Sequence, residues 1–268
     1  MIEALSLPFF QHALIAGALI ALAVGVIGPL TMANRMTFMS GGIAHATYGG
    51  VGAAIFLGIS ILPGATIAAI VAAVIISFVA YRYRHRTDTV IGIVWAVGMA
   101  VGVILADKTP GYHVDLMSFL FGSILAVGER DLWLMGAFDL TVAALVFWFY
   151  YDFVALSFDP VFARLKGVRT RALHLLLLLL VALTVVFSMR LVGLIMVIAL
   201  LTMPAFSAER FAKTLGGMMA ISVILALLYV LGGLTVAYLY DLSSGASVIL
   251  TAALGTILTF MIPKTRKR

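Results

Sequence analysis

The sequence predicts an all-α integral membrane protein: a polytopic helical bundle of about nine transmembrane helices, with eight as the alternative count, plus a short outer helix and a short cytoplasmic helix. Three observations predict it. Of 268 residues, 64% are hydrophobic and only 10% charged, against about 25% charged in soluble domains, so the chain cannot cover a water-facing surface. Mean hydropathy is +1.20. The apolar residues come in continuous runs rather than in alternation, which selects helices over a barrel.

A hydrocarbon core of roughly 30 Å needs about 17–25 apolar residues in a helix. The segments that meet this are 9–32, 43–60, 63–81, 89–106, 132–151, 172–188, 191–207, 217–240 and 246–262. The start, "MIEALSLPFFQ", lacks the basic region of a cleaved signal peptide. With the N-terminus outside and the C-terminus in the cytoplasm, 14 of the 17 Lys and Arg fall inside, and only Lys108, Arg130 and Arg190 fall outside. The opposite threading reverses the bias and is rejected. The net charge of +6 is therefore a topology signal and calls for no nucleic acid. The closing "KTRKR" reads as a stop against anionic headgroups of the lipid bilayer.

No separate soluble domain fits, so 1–268 reads as a single transmembrane domain. The outer stretch 107–131 contains "DLMSFLFGSILAV" (115–127), apolar but too short to span, which predicts a re-entrant or surface helix. The inner stretch contains a helical segment within 155–171 whose ends are both marked. Asp159 suits an N-cap, Pro160 the first helical position, and Gly167 a left-handed stop. Phe158, Val161, Phe162 and Leu165 make one side apolar, while Arg164 and Lys166 stay wet. Such a helix either docks a cytosolic partner or lies on the inner leaflet. The endings "GPLTMANR" (28–35) and "LLTMPAFSAER" (200–210) are similar, as a duplication remnant or as two ordinary proline kinks.

Ionisable groups at membrane depth are costly and default to function. His45 is the first candidate. Its imidazole is a common transition-metal ligand, and Gly41, His45, Gly49 and Ala53 share one helical face. Gly41, Gly49 and Gly52 allow a neighbouring backbone to come close. The alternative is an imidazole that only hydrogen-bonds across two helices. Asp139 sits about 10 Å into its span, either lining a cation path or paired within the bundle. His113 and Asp115 lie in the outer loop, where a cation would arrive or where both are merely solvated. Met32, Met36 and Met39 share a face, as packing residues or as soft ligands for Cu(I). Asp88 reads as a helix N-cap with a favourable dipole interaction. Cysteine is absent, and no H-E-x-x-H, G-x-S-x-G or G-x-x-x-x-G-K-[ST] occurs, which speaks against an intramembrane enzyme and against a nucleotide site in this chain.

Four blocks, in order, resemble the permease subunit of the ABC-type zinc/manganese/iron importers: "GGIAHATYGGVG" (41–52), "TDTVIGIVWAVGMAVGVIL" (87–105), "DLMSFLFGSILAV" (115–127), and "ALSFDPVFARLKGV" running on through "RLVGLIMVIALLTMPAFSA" (155–208). The resemblance implies a permease in a prokaryotic plasma membrane, paired with a second copy of itself, two ATP-binding cassette ATPase subunits and an extracytoplasmic metal-binding protein. The cargo would be a divalent ion, zinc first and manganese or iron next. ATP would act only in the partner subunit, with no permanently bound cofactor. The family's second-span motif reads G-D-x-x-S-H. Carried over, its histidine falls on His45, its acid on Gly42 and its serine on Ala44. Asp139, Tyr48, Asp115 or water then completes a metal site, or selectivity differs. The family's coupling helix falls on Asp159–Gly167, which implies ATPase docking through Asp159, Pro160, Phe162, Ala163, Arg164 and Gly167. The family's acid at the start of the fourth span falls on Asp88. Two other readings remain. One is an ABC permease for an iron chelate or cobalamin, which the loss of an acid at Gly42 favours. The other is a stand-alone secondary cation transporter, which would need relay residues in several spans.

Overall fold

The computed structural model describes residues 8–83, 86–109, 122, 124 and 127–262, and among these the regular structure is helical. The helices are α1 (Pro8–Ala33), α2 (Thr37–Phe56), α3 (Ile61–Arg82), α4 (Thr87–Asp107), α5 (Glu129–Trp148), α6 (Tyr150–Phe158), α7 (Pro160–Leu165), α8 (Thr170–Val192), α9 (Leu194–Glu209), α10 (Leu215–Tyr240) and α11 (Ser244–Met261). Each expected span coincides with one of them, and α6 and α7 fill the inner stretch. The expected outer helix at 115–127, with Asp115, and the nearby His113 lie outside the described residues. Of that segment only Gly122, Ile124 and Val127 are described, and the last two are buried.

Among the described residues, seven helices are long and apolar enough to cross a membrane: α1, α3, α4, α5, α8, α10 and α11. The other two elements on expected spans fall short for different reasons. At 20 residues α2 is long enough, but five glycines and Thr37, Ser40, His45, Thr47 and Tyr48 dilute its apolar content. The α9 helix is strongly apolar but has only 16 residues. Two boundaries differ from expectation. The α2 helix opens at Thr37, because small and polar residues still form helix when neighbours cover them, and it ends before Gly58, whose φ of +65° halts it. Asp88 is not the N-cap of α4: Arg86 holds that place and Asp88 lies in the first turn, where its charge still complements the helix dipole.

The chain divides into two compact units. One holds α1, α5, α9, α10, α11 and the end of α8. In lipid the hydrophobic effect does not drive helices together, so small residues that admit close van der Waals packing must do so. On α1 a Cβ at Gly25 would strike Val223 Cα at 2.5 Å, and one at Gly28 would strike the Leu201 carbonyl oxygen at 2.5 Å. These glycines let α1 settle against α10 and α9. Gly193, with φ +78°, is the only residue between α8 and α9.

The other unit holds α2, α3, α4, α6, α7 and most of α8. Here α2 packs on both α3 and α4. A Cβ at Gly49 would meet the Gly98 carbonyl oxygen at 2.8 Å, and Gly52 abuts the backbone of Gly102. Gly64 of α3 comes as close to the Gly50 carbonyl oxygen, 2.6 Å from where its Cβ would be. Gly41 differs, for nothing lies within 4 Å of a Cβ placed there.

Candidate functional site

His45 lies in the middle of α2, and the glycine contacts just described bring α4 near enough to touch it. The imidazole stacks on the indole of Trp95 with centroids 4.0 Å apart and planes 4° from parallel. Trp95 is itself held by its own helix, donating from Nε1 to Met99 Sδ at 3.2 Å. Stacking fixes the plane of the imidazole and leaves its nitrogens at the ring edge, the direction from which a metal ion is bound. His45 Nδ1 is buried and has no hydrogen-bond partner among the described residues. A buried polar atom without a partner is costly, and an arriving cation would supply one.

Tyr48, one turn on, is buried and packs beside Gly102. The expectation that the family's acid falls on Gly42 is corrected by the spacing: in G-D-x-x-S-H the acid stands four residues before the histidine, which from His45 is Gly41. Nothing lies within 4 Å of a Cβ placed at Gly41, whereas one at the buried Gly42 would run into the Cγ2 methyl of Ile91 on α4. Gly42→Asp is expected to cost about 1–3 kcal/mol as overpacking, read as a lower melting temperature. Gly41→Asp, where nothing lies near the added Cβ, should instead keep stability and tighten metal binding, measured by metal titration of the purified protein.

Asp139 belongs to the other unit. It falls on the buried stripe of α5 with Met135, Phe138, Val142 and Val146, and is 3% exposed. Neither carboxyl oxygen has a hydrogen-bond partner among the described residues. Beside it Phe138 stacks on Phe187 at 4.7 Å, while nearer the start of α5 Asp131 pairs with Arg190 at 2.9 Å. Among the described residues no three His, Asp or Glu side chains gather into a metal-binding cluster.

The segment 159–167 has both ends closed. The Asp159 carboxylate accepts from the N–H groups of Val161 and Phe162, each at 2.9 Å, and Pro160 opens α7. At the other end Gly167 has φ +87°; its N–H donates to the Arg164 carbonyl and that of Val168 to the Ala163 carbonyl, each at 3.0 Å. This pair of bonds is the Schellman arrangement. Ala163 is fully buried, which anchors the helix, while Phe158, Val161, Phe162 and Leu165 are exposed.

Sequence reasoning missed Trp95 and Ile91. Both lie about fifty residues from the positions they serve, and neither stands out within an apolar span.

The comparisons agree with this architecture. The model of the ABC 3 transport family matches residues 6–263. An uncharacterized membrane protein of Synechocystis is 44% identical, covering 97% of this chain and 92% of its own. The manganese transport system membrane protein MntC of Halalkalibacterium halodurans is 33% identical over 98% of this chain and 90% of its own. The solved structure of PsaBC from Streptococcus pneumoniae, in complex with a Fab, superposes with a TM-score of 0.89 at 31% identity, covering 99% of this chain and 96% of that one. With the family matched from one end of the described helices to the other, the chain belongs to the ABC 3 transport family, as a permease of the ABC-type metal importers.

Proposed function

We propose that this permease carries a divalent metal ion inward, manganese first and zinc or iron next, as a homodimer driven by two ATPase subunits and fed by an extracytoplasmic binding protein. The manganese relatives move that ion ahead of zinc, which the resemblance alone had put first. The observation that carries the reading is the His45 imidazole, held flat on Trp95 with an unpartnered nitrogen within a span. One nitrogen without a closed cage suits a cargo that must leave again. Manganese, the weakest binder among the divalent first-row ions at such sites, is the most readily released. Asp139, buried without a donor, serves in its own unit as an oxygen stop for the passing cation. Residues 1–268 act as one permease domain in the plasma membrane, N-terminus outside. The α2 and α9 helices also cross, sheltered from lipid by their neighbours, which brings the spans to nine.

ATP enters through α7. The bias of basic residues supports a cytoplasmic location for this helix, whose exposed apolar side would offer an ATPase subunit a rigid knob. Because Phe162 is 53% exposed, Phe162→Asp is expected to leave the fold intact while removing ATPase copurification and uptake. Proteoliposomes holding permease, ATPase and binding protein test the whole reading. ATP-dependent uptake of manganese is expected, lost with Phe162→Asp. Uptake by the permease alone would instead make it a secondary carrier, and transport of a chelate but no free ion would reassign the cargo.

A further inference from the structure

Positive charge is concentrated where α3 ends and α8 begins. Tyr81 stands at its centre. The Arg171 guanidinium carbon lies 4.0 Å from the Tyr81 ring centroid, and Arg164 Nη2 donates to its hydroxyl at 3.1 Å. Two cavities share Tyr81 and Arg171. One, of about 360 Å³, runs from Arg82 and Arg171 down along Val74, Phe78 and Leu175. The other, of about 410 Å³, is bounded by Arg164, Arg169 and Thr170. Among the described residues, none of these arginines is ion-paired with a carboxylate.

The two halves of the surface require different chemistry from an occupant. The rim offers guanidinium groups, which bind phosphate in bidentate fashion, and the first turn of α8, whose dipole favours an anion. The wall below is apolar, and Val74 and Phe78 are 45% and 69% exposed. It belongs to α3 and α8, two helices long and apolar enough to cross a membrane. A soluble phosphate would leave that wall uncovered. One occupant satisfies both halves. We propose that this is a binding site for an anionic phospholipid, its phosphate between Arg82 and Arg171 and one acyl chain lying along α3 and α8.

The test uses the permease–ATPase complex in nanodiscs of equal parts phosphatidylcholine and phosphatidylglycerol, with retained lipid read by native mass spectrometry. The wild type is expected to retain phosphatidylglycerol selectively. Arg82→Gln with Arg171→Gln should weaken that retention on the order of tenfold, and Arg82→Lys with Arg171→Lys should keep most of it. Excess inorganic phosphate should not displace the lipid. A Phe78→Trp reporter, which leaves the arginines untouched, should be quenched more by brominated phosphatidylglycerol than by brominated phosphatidylcholine. Equal retention in the Gln variant, displacement by phosphate, equal quenching, or loss of the ATPase with lipid retention unchanged would each overturn the proposal.

Discussion

Replacing His45 with alanine is expected to lower ATP-driven metal uptake at least a hundredfold while the permease still assembles with its ATPase. The two effects separate because they draw on different interactions. The fold loses one ring stack, worth about 0.5–1.5 kcal/mol beyond area burial. Among the described residues, the pathway loses the one imidazole that has a buried nitrogen without a hydrogen-bond partner. Removing even groups that merely orient a metal ligand costs about 10–100-fold in affinity or activity, so loss of the ligand should exceed that. Trp95→Leu gives the intermediate case: the imidazole remains but its plane is free, and roughly a tenfold loss is expected. Asp139→Asn in the same assay keeps the shape and removes the charge, and should slow uptake by a similar factor. Radioactive manganese uptake, normalised to ATPase content, measures all three. Full activity in His45→Ala would remove this residue from the path.

Gly52→Val is expected to be the most damaging single change to the fold, abolishing stable protein or lowering its unfolding free energy by more than about 3 kcal/mol. A side chain at Gly52 would meet the backbone of Gly102, including its Cα at 2.6 Å and carbonyl carbon at 2.7 Å. Backbone in a helix cannot swing aside as the end of a side chain can, so α2 and α4 must separate, and the imidazole–indole stack opens with them. Gly41→Ala, on the same helix, should have the opposite sign. Nothing lies near its Cβ, so the gain in helix propensity, about 0.5–1 kcal/mol, is unopposed. Thermal unfolding of the two purified variants distinguishes these outcomes.

Much of this was legible in the sequence because lipid leaves few options. Continuous apolar runs place the helices, and Asp159–Pro160 with Gly167 marks both ends of α7 from local chemistry alone. His45 stood out as an ionisable group in a span. What could not be read is what depends on packing between segments distant in sequence. Trp95 against His45, Ile91 against Gly42 and Arg171 against Tyr81 all require the register between helices, which periodicity within one helix does not contain. The start of α2 is not legible for the related reason that apolar content marks exposure to lipid, whereas α2 is covered by protein. Its glycines, read together as close-approach positions, differ among themselves: Gly49 and Gly52 sit against α4, while Gly41 faces open space.

Nothing lies within 4 Å of a Cβ at Gly41, one helical turn before His45. A carboxylate introduced there would displace no neighbouring atom and would share a face with the imidazole. A second, oxygen donor beside the nitrogen therefore stands a single exchange away, with no compensating change asked of the surrounding helices.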